Sequence, residues 1–563
     1  MPLTRYLLLT FCFFLTVSCA LAQKMDSVTI KGRIKNLTVD LYRQSPTVSV
    51  SRSNILQASR EMTRTAQLEP DGSFQLTLPK IYPYEEMYFR FSNVSSVFLA
   101  SSGTIEIGLD ADSLYVTELP FRFGGNLANV NNQLARFKAY EAKNRKPADN
   151  RRLQQRLERK SADGTFLTLV EEFSKLSNEY KAQNTLQPLL NDFLTSTIRY
   201  EAATYLFDKY TAEELTLPAS VLDSLRPAKD PFMSIARATA YDRLSVYLVQ
   251  KVNRRPVQAS NRSTQNGLAI QRLAELLLRY GSGLTNTEKS KLNEIISKGG
   301  AQNKDLPLIN RVYERNADTL SKLVPYEALL AQIDKSSDST EGEFLTGQLI
   351  AQSWLQSTLN ETRLTYAHFT PRVSSRNYKL SFSELYNLQI KDSAAIRGVN
   401  QLVKKQASPG NPISVMPGVA LLDASALPNG SFPSGRDVAN KIREQGRGRL
   451  IYVITWSDQI EQTQDMALQA QSLAEQFRND LLVVYLCAGD LNKSFWQEWV
   501  ARNKPRGLHV FAPDENASEI MLALRTLDMP SAALLGRDGK FIKRQAPLPD
   551  KVDEIQRLIR EKR

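Results

Sequence analysis

The sequence predicts a multidomain α+β protein: an N-terminal β-sandwich, a helical middle and a C-terminal α/β domain. Three patterns predict it. Early in the chain apolar residues alternate at period two, as in Val28-Thr29-Ile30-Lys31-Gly32-Arg33-Ile34, the mark of a half-buried strand. Between about residues 125 and 400 they recur every three or four positions, as on one face of a helix. Beyond Arg449, apolar strand-like runs alternate with helical stretches, the pattern of a parallel sheet with helices on its faces.

A chain of 563 residues has room for about three to four domains. Its 42% hydrophobic and 23% charged residues are ordinary for a globular protein, which argues against both disorder and a polytopic membrane protein. Residues 1–22 read as a secretion signal: Arg5 is the positive start, Tyr6 to Val17 the apolar core, and Ala20-Leu21-Ala22 the small-x-small cleavage site. That core is far shorter than the roughly 20 residues a spanning helix needs. The chain is therefore expected in the periplasm or envelope. Cleavage after Ala22 would release a soluble protein; cleavage before Cys19 would leave a lipid anchor. Thr16-Val17-Ser18 matches a leucine-led lipobox poorly, which favours the soluble form.

Of the three cysteines, Cys12 and Cys19 lie in or at the edge of the signal, and Cys487 remains. One cysteine cannot form an intramolecular bridge, so stability must come from buried cores. Cys487 ends the apolar run Leu481 to Leu486 and is expected as a small buried hydrophobe on a strand. A reactive monothiol is the sharper alternative. The net charge of +13, or +12 once Arg5 leaves, suggests attraction to anionic surfaces. Much of it lies in Lys143, Arg145, Lys146, Arg151, Arg152, Arg156, Arg159 and Lys160, for which a solvated helix face is the simpler reading. No nucleic-acid motif accompanies these charges.

Residues 26–120 form the expected β-region. Pro70-Asp71-Gly72-Ser73 signals a tight turn into the strand Phe74 to Leu78, and short apolar runs follow at Met87–Phe91, Ser96–Leu99 and Thr104–Leu109. A Gly-Arg-Ile strand followed by an Asp-Gly-Ser-Phe hairpin resembles the N-terminal β-domain that precedes thioredoxin-like domains in exported proteins of certain Gram-negative bacteria. That domain implies no activity.

Residues 125–400 form the expected helical region. Phe166, Val170, Phe173, Leu176 and Tyr180 make one stripe, and Leu190, Phe193, Leu194, Ile198 and Tyr205 another. Thr285 and Glu288 have capping-box spacing before Leu292, Ile295 and Ile296, with Gly299-Gly300 as the stop. No fixed repeat supports a solenoid. These stripes read as core, and the region shows no chemistry.

A linker, Ser408-Pro409-Gly410-Asn411-Pro412, opens the last region, residues 408–563. Leu421-Leu422-Asp423 and Asn429-Gly430 suggest a strand and turn leading in. The apolar strand at Leu450 is followed by Trp456-Ser457-Asp458-Gln459-Ile460 and a helical stretch, Thr463 to Phe477. Another strand spans Leu481–Leu486, Phe495, Trp496 and Trp499 give the next helix an aromatic face, and Leu508–Phe511 suggests an extra strand. Met529-Pro530-Ser531 enters a last strand that ends at Gly536-Arg537-Asp538-Gly539.

This order resembles the TlpA/ResA-type thioredoxin-like family over about a quarter of the chain. The resemblance implies a Trp-Cys-x-x-Cys redox pair at a helix start and a cis-proline element at Met529-Pro530-Ser531. Both sulfur positions are lost here: Ser457 and Ile460 occupy them. A serine hydroxyl barely ionises at neutral pH without a strong base, and neither histidine, His368 or His509, is near in sequence. Ser457 and Asp458 instead suit a helix N-cap. In this fold Cys487 is not expected beside the start of that helix, so it is not expected to substitute. The family's cis-proline face binds extended peptide through backbone hydrogen bonds, which makes Trp456, Met529, Pro530 and Ser531 candidate peptide-binding residues.

No metal motif, phosphate loop or nucleophile elbow is present, and no catalytic residue or cofactor is expected. Neighbouring acids such as Glu171-Glu172 and Glu213-Glu214 fall on expected helices and point in different directions. The leading expectation is a non-catalytic envelope binding or scaffold protein whose partner is an envelope protein or peptide. Thiol-disulfide exchange is the first alternative, and association with anionic glycan or a membrane surface the second.

Overall fold

The computed structural model describes residues 26–92, 94–114, 116–145, 150–224, 230–253, 268–335, 339–355, 357–406, 411–425, 430–457, 460–489 and 493–562. The expected signal with Cys12 and Cys19, Lys146, most of the expected linker, Asn429 and Asp458 lie outside them. The chain is mixed α/β and divides into two compact units. The first comprises residues up to Thr38, Thr47–Arg90 and Ser95–Leu385; the second comprises Val39–Pro46, Phe91–Val94 and Tyr386–Arg563. Among the described residues no helix is long and apolar enough to cross a membrane.

The strands β1 (Ser27–Lys35), β2 (Thr47–Ser51), β3 (Arg64–Gln67), β4 (Ser73–Pro79), β5 (Tyr84–Phe91), β6 (Val94–Ala100), β7 (Gly103–Asp110) and β8 (Phe121–Gly125) build two sheets. One runs β4-β1-β7-β8, the other β3-β2-β5-β6. In β1, Val28 and Ile30 turn inward while Ser27 and Lys31 stay exposed, as period two requires. The sheets meet through aromatic rings: Phe74 stacks on Phe89 at 5.3 Å, and Phe89 meets Phe121 edge-on at 5.9 Å. Gly32 permits the tight pairing of β1, because a Cβ there would lie 2.0 Å from the Ile107 carbonyl oxygen.

One strand falls where the sequence reads as helix. β9 (Phe232–Met233) pairs in parallel with Tyr84 and Glu85 of β5. Two residues are too few to show a period, which hides this strand from pattern reading. The rest of the first unit is helical, and Thr285 and Glu288 form the reciprocal capping box expected of them.

Buried charge knits this unit together. Arg52, 4% exposed, bonds Glu85 of β5 and, at 2.8 Å, Glu384 of the helix Arg376–Gln406. Arg237 sits within 5.2–5.7 Å of the ring centres of Tyr82, Tyr200 and Tyr241 and donates to the Asp230 and Phe232 carbonyls.

The second unit is a seven-stranded sheet of β10 (Ile413–Met416), β11 (Val419–Asp423), β12 (Leu450–Trp456), β13 (Leu481–Ala488), β14 (Gly507–Ala512), β15 (Ala532–Leu535) and β16 (Phe541–Lys543). Its order is β10-β11-β14-β13-β12-β15-β16. β11, β14, β13 and β12 run parallel, while β10, β15 and β16 pair antiparallel. The Leu508–Phe511 run is thus no peripheral addition: it forms β14, between β11 and β13. The lead-in hairpin turns at Pro417-Gly418, where Gly418 takes φ +78°.

Helices cover both faces. Glu461–Gln476, Lys493–Asn503, Val552–Lys562 and the end of Arg376–Gln406 contribute to one core with Tyr452, Ile454, Tyr485 and Cys487. Gly435–Gln445 and Asp514–Leu524 contribute to the other with Val453, Val484 and Val510. Every residue of β12, β13 and β14 is buried, which is why these strands read as unbroken apolar runs.

Candidate functional site

The candidate site lies where β12 ends beside the start of β15. Ile454 pairs with Ala532, and the Thr455 N–H donates to the Ser531 carbonyl at 3.0 Å, so the antiparallel register brings Pro530 level with Trp456. The Met529–Pro530 peptide is cis. Thr455, fully buried, clamps this corner. Its hydroxyl accepts from the Ser531 N–H at 2.8 Å and donates to the Asp528 carbonyl at 3.1 Å. Between these tied residues, Met529 is half-buried, and its N–H and C=O make no hydrogen bond among the described residues.

Ser457 is only 5% exposed, and its N–H donates to the Thr463 hydroxyl at 3.0 Å. That hydroxyl also donates to the Ile460 carbonyl at 2.7 Å, closing the turn into the helix Glu461–Gln476. The helix therefore starts later than an N-cap at Ser457 requires: Ile460 holds the cap position, with no side-chain hydrogen bond. Ile460 itself is 42% exposed.

One further expectation needs correction. Trp456 belongs to the core and presents no surface to a peptide: it is fully buried, its ring 4.4 Å from that of Trp499. Cys487 stands opposite Trp456 at the end of β12, because β12 and β13 pair in parallel. Its thiol is fully buried and outside any disulfide. The same core holds His509, fully buried, with its ring 4.5 Å from Tyr485 and Nε2 bonded to the Pro505 carbonyl at 2.8 Å. Burial pushes its pKa down to about 4.

Trp456, Ser457, Ile460, Met529, Pro530 and Ser531 are thus brought to one corner of the sheet, but only the last four leave atoms near solvent. Such a corner offers a half-exposed peptide group and an exposed isoleucine, with no ionisable side chain among the six. Sequence reading missed Thr455 and Thr463, which hold the corner in shape. Neither belongs to a recognisable motif, and Thr455 works on residues 73 to 76 positions away.

In the first unit the structure gathers a polar cluster that the sequence scatters. Tyr280 Oη lies 2.7 Å from His368 Nδ1, and His368 Nε2 lies 2.6 Å from Glu327, which also binds Arg272 and Arg372. Among the described residues no group of histidine, cysteine and acidic side chains could hold a metal ion.

No family model matches the chain, and no curated protein matches it. Solved structures resemble it weakly. A proposed thiol-disulfide oxidoreductase from Bacteroides vulgatus is 21% identical, covering 23% of this chain and 80% of its own, at a TM-score of 0.19. The thioredoxin domain of a B. vulgatus thiol-disulfide oxidoreductase is 12% identical, covering 24% and 94%, also at 0.19. A thioredoxin-like protein from Bacteroides caccae is 10% identical, covering 54% and 98%, at 0.18. Scores this low carry no argument; the strand order and corner geometry above stand on their own.

Proposed function

We propose that the second unit is a thioredoxin-like domain that has lost thiol chemistry and serves as a peptide-binding module of a non-catalytic envelope scaffold protein. The observation that carries this reading is Met529. Its N–H and C=O face no internal partner among the described residues, while Asp528 and Ser531 on either side are fixed by Thr455. A fixed peptide without an internal partner, on a half-buried residue, suits a strand-like contact with an extended chain, a contact that needs no sulfur. Ser457 and Ile460, at the positions of the family's cysteines, supply no sulfur, and the remaining thiol of Cys487 is buried. The proposal places the protein in the periplasm or envelope, exported by its first 22 residues, with Cys19 as a candidate anchor.

The basic surface is the weaker basis for a function. Lys138 and Arg145 both bond Glu141, and Arg156 bonds Glu171 and Glu172, so part of the local surplus is paired within the fold.

Reduction of insulin by dithiothreitol tests the loss of chemistry. The natural chain is expected to leave the uncatalysed rate unchanged, whereas a Ser457→Cys/Ile460→Cys double variant is expected to raise it, because the thiol placed at position 460 stands at the exposed cap of the helix Glu461–Gln476, where its thiolate is favoured. Catalysis by the natural chain that disappears in Cys487→Ala would overturn the proposal and establish a monothiol enzyme.

A further inference from the structure

At the amino-terminal ends of its parallel strands the second unit gathers three arginines, one from each of three successive helix-to-strand turns. Arg449 lies between the helix Gly435–Gln445 and β12, Arg478 between Glu461–Gln476 and β13, and Arg506 between Lys493–Asn503 and β14. Register brings them together. Leu450 pairs with Leu481 and Val484 with Leu508, so Arg449 and Arg506 flank the start of β13, which the turn holding Arg478 enters. Neighbouring strands lie about 4.8 Å apart, which leaves β12 and β14 about 10 Å from each other. Period two puts Arg449 on the face of Ile451 and Arg506 on that of Leu508, and these two residues share one core with Leu482. The three turns hold five cations and a single acid, Asp480, which Arg537 takes at 3.3 Å. Glu444 and Glu475, at the ends of the helices leading in, are exposed, and Glu475 accepts from Gln471 at 2.9 Å.

All three arginines are half-buried, and the protein uses little of their bonding capacity. Arg449 donates to the Gln445 carbonyl at 2.7 Å, an ordinary contact at a helix end, and Arg478 to the Arg43 carbonyl at 3.2 Å. Each bond spends one of the several N–H donors that a guanidinium carries. The Arg506 guanidinium makes no hydrogen bond or ion pair among the described residues. It is nonetheless held in place: a Cβ on Gly418 would lie 2.6 Å from its Nη1 and 2.9 Å from its Cζ, so it rests against the bare turn between β10 and β11. Burial, and after it the charges of Arg478 and Arg449, push its pKa below the ordinary arginine value, and Glu475 offsets only part of this. We propose that Arg449, Arg478 and Arg506 form a binding site for a phosphate-type oxyanion, whose oxygens the planar guanidinium forks match with paired N–H bonds. Such a group arrives as free phosphate or as a phospholipid headgroup, and the same donors recognise both. The site lies at the opposite ends of the strands from the Met529 corner and does not depend on that reading.

Calorimetric titration of the chain with inorganic phosphate, at an ionic strength fixed by sodium chloride, tests it. Saturable binding is expected, weakened about tenfold by Arg506→Gln, the usual worth of a charge-assisted hydrogen bond. Arg506→Lys, which keeps the charge and loses the fork, is expected to recover only part of that loss. Lys504→Gln removes the same charge from an exposed position in the same turn and is expected to change affinity by less than about twofold, since exposed charge is screened. Melting curves show whether each variant is folded. Cosedimentation with phosphatidylglycerol vesicles, set against phosphatidylcholine vesicles, separates the two sources. Phosphate binding without vesicle binding would mark a free-anion site, and vesicle binding that Arg506→Gln abolishes would mark a headgroup site. Absence of both, or binding that Lys504→Gln weakens as much as Arg506→Gln does, would overturn the proposal and leave only diffuse surface charge.

Discussion

Replacing Glu327 with alanine is expected to destabilise the first unit by about 3–5 kcal/mol, the cost of leaving buried charge without its partner. The carboxylate is 2% exposed on the helix Val324–Asp334. It receives the Arg272 guanidinium at 3.0 and 3.2 Å, His368 Nε2 at 2.6 Å and Arg372 at 3.4 Å. One side chain thus joins segments 41 to 55 positions away, before it and after it in the chain. Burial alone would raise its pKa, but the bonds from His368 and Arg272 prevail and hold it at about 2. A carboxyl lowered from 4.5 contributes stability above the unfolded value and loses it as the pH falls toward 2. Circular dichroism melting checks the prediction: alanine should lower the transition of the first unit sharply at pH 7 and far less near pH 2. A loss below about 1 kcal/mol at pH 7 would show that the cluster is solvated like a surface ion pair.

Acid is expected to weaken the second unit before its carboxylates titrate. His509 is buried neutral, with its pKa lowered from 6.5 to about 4. Between those values the unfolded chain binds a proton that the folded chain refuses, so stability falls as the pH drops from about 6.5 to 4. The full shift corresponds to about 3 kcal/mol. His509→Phe keeps an aromatic ring against Tyr485 and removes the titrating group. Its cost at neutral pH is expected to be about 1 kcal/mol for the lost bond to Pro505. Urea unfolding followed by tryptophan fluorescence reports on this unit, since Trp456, Trp496 and Trp499 lie in it. The natural chain's advantage of about 1 kcal/mol at pH 7 should vanish and then reverse toward pH 4, leaving the variant the more stable by about 2 kcal/mol; a constant difference would place the acid sensitivity elsewhere.

The sequence made the central strands of the second unit and the helices Glu461–Gln476 and Lys493–Asn503 visible because burial there writes continuous apolar runs, while the helices Gly435–Gln445, Asp514–Leu524 and Val552–Lys562 went unread. β1 was equally plain, since only one of its faces is buried. The short strands β2 and β3 and the helix Val39–Gln44 were missed: their residues are polar or too few for a period to show. At the candidate corner the lost sulfurs were legible, because a motif fixes their spacing. The shape of the corner was not. Thr455 acts across 76 positions on Ser531, and nothing near Ser457 in sequence shows that Thr463 will bond its amide.

The change of composition near residue 408 looks like the natural place to divide this protein, but the long helix Arg376–Gln406 runs up to that point and its last turns are not a tether. Ile396, Val399, Leu402 and Val403 pack into the same core as Tyr452 and Trp456. A fragment beginning at residue 408 would keep its sheet and lose part of the wall over one face, exposing apolar surface. Expressed alone, it is expected to aggregate, whereas a fragment beginning at Tyr386 retains that wall, and size-exclusion chromatography of the two would distinguish them. The seam visible in the amino-acid composition and the seam of the folded core are thus some twenty residues apart.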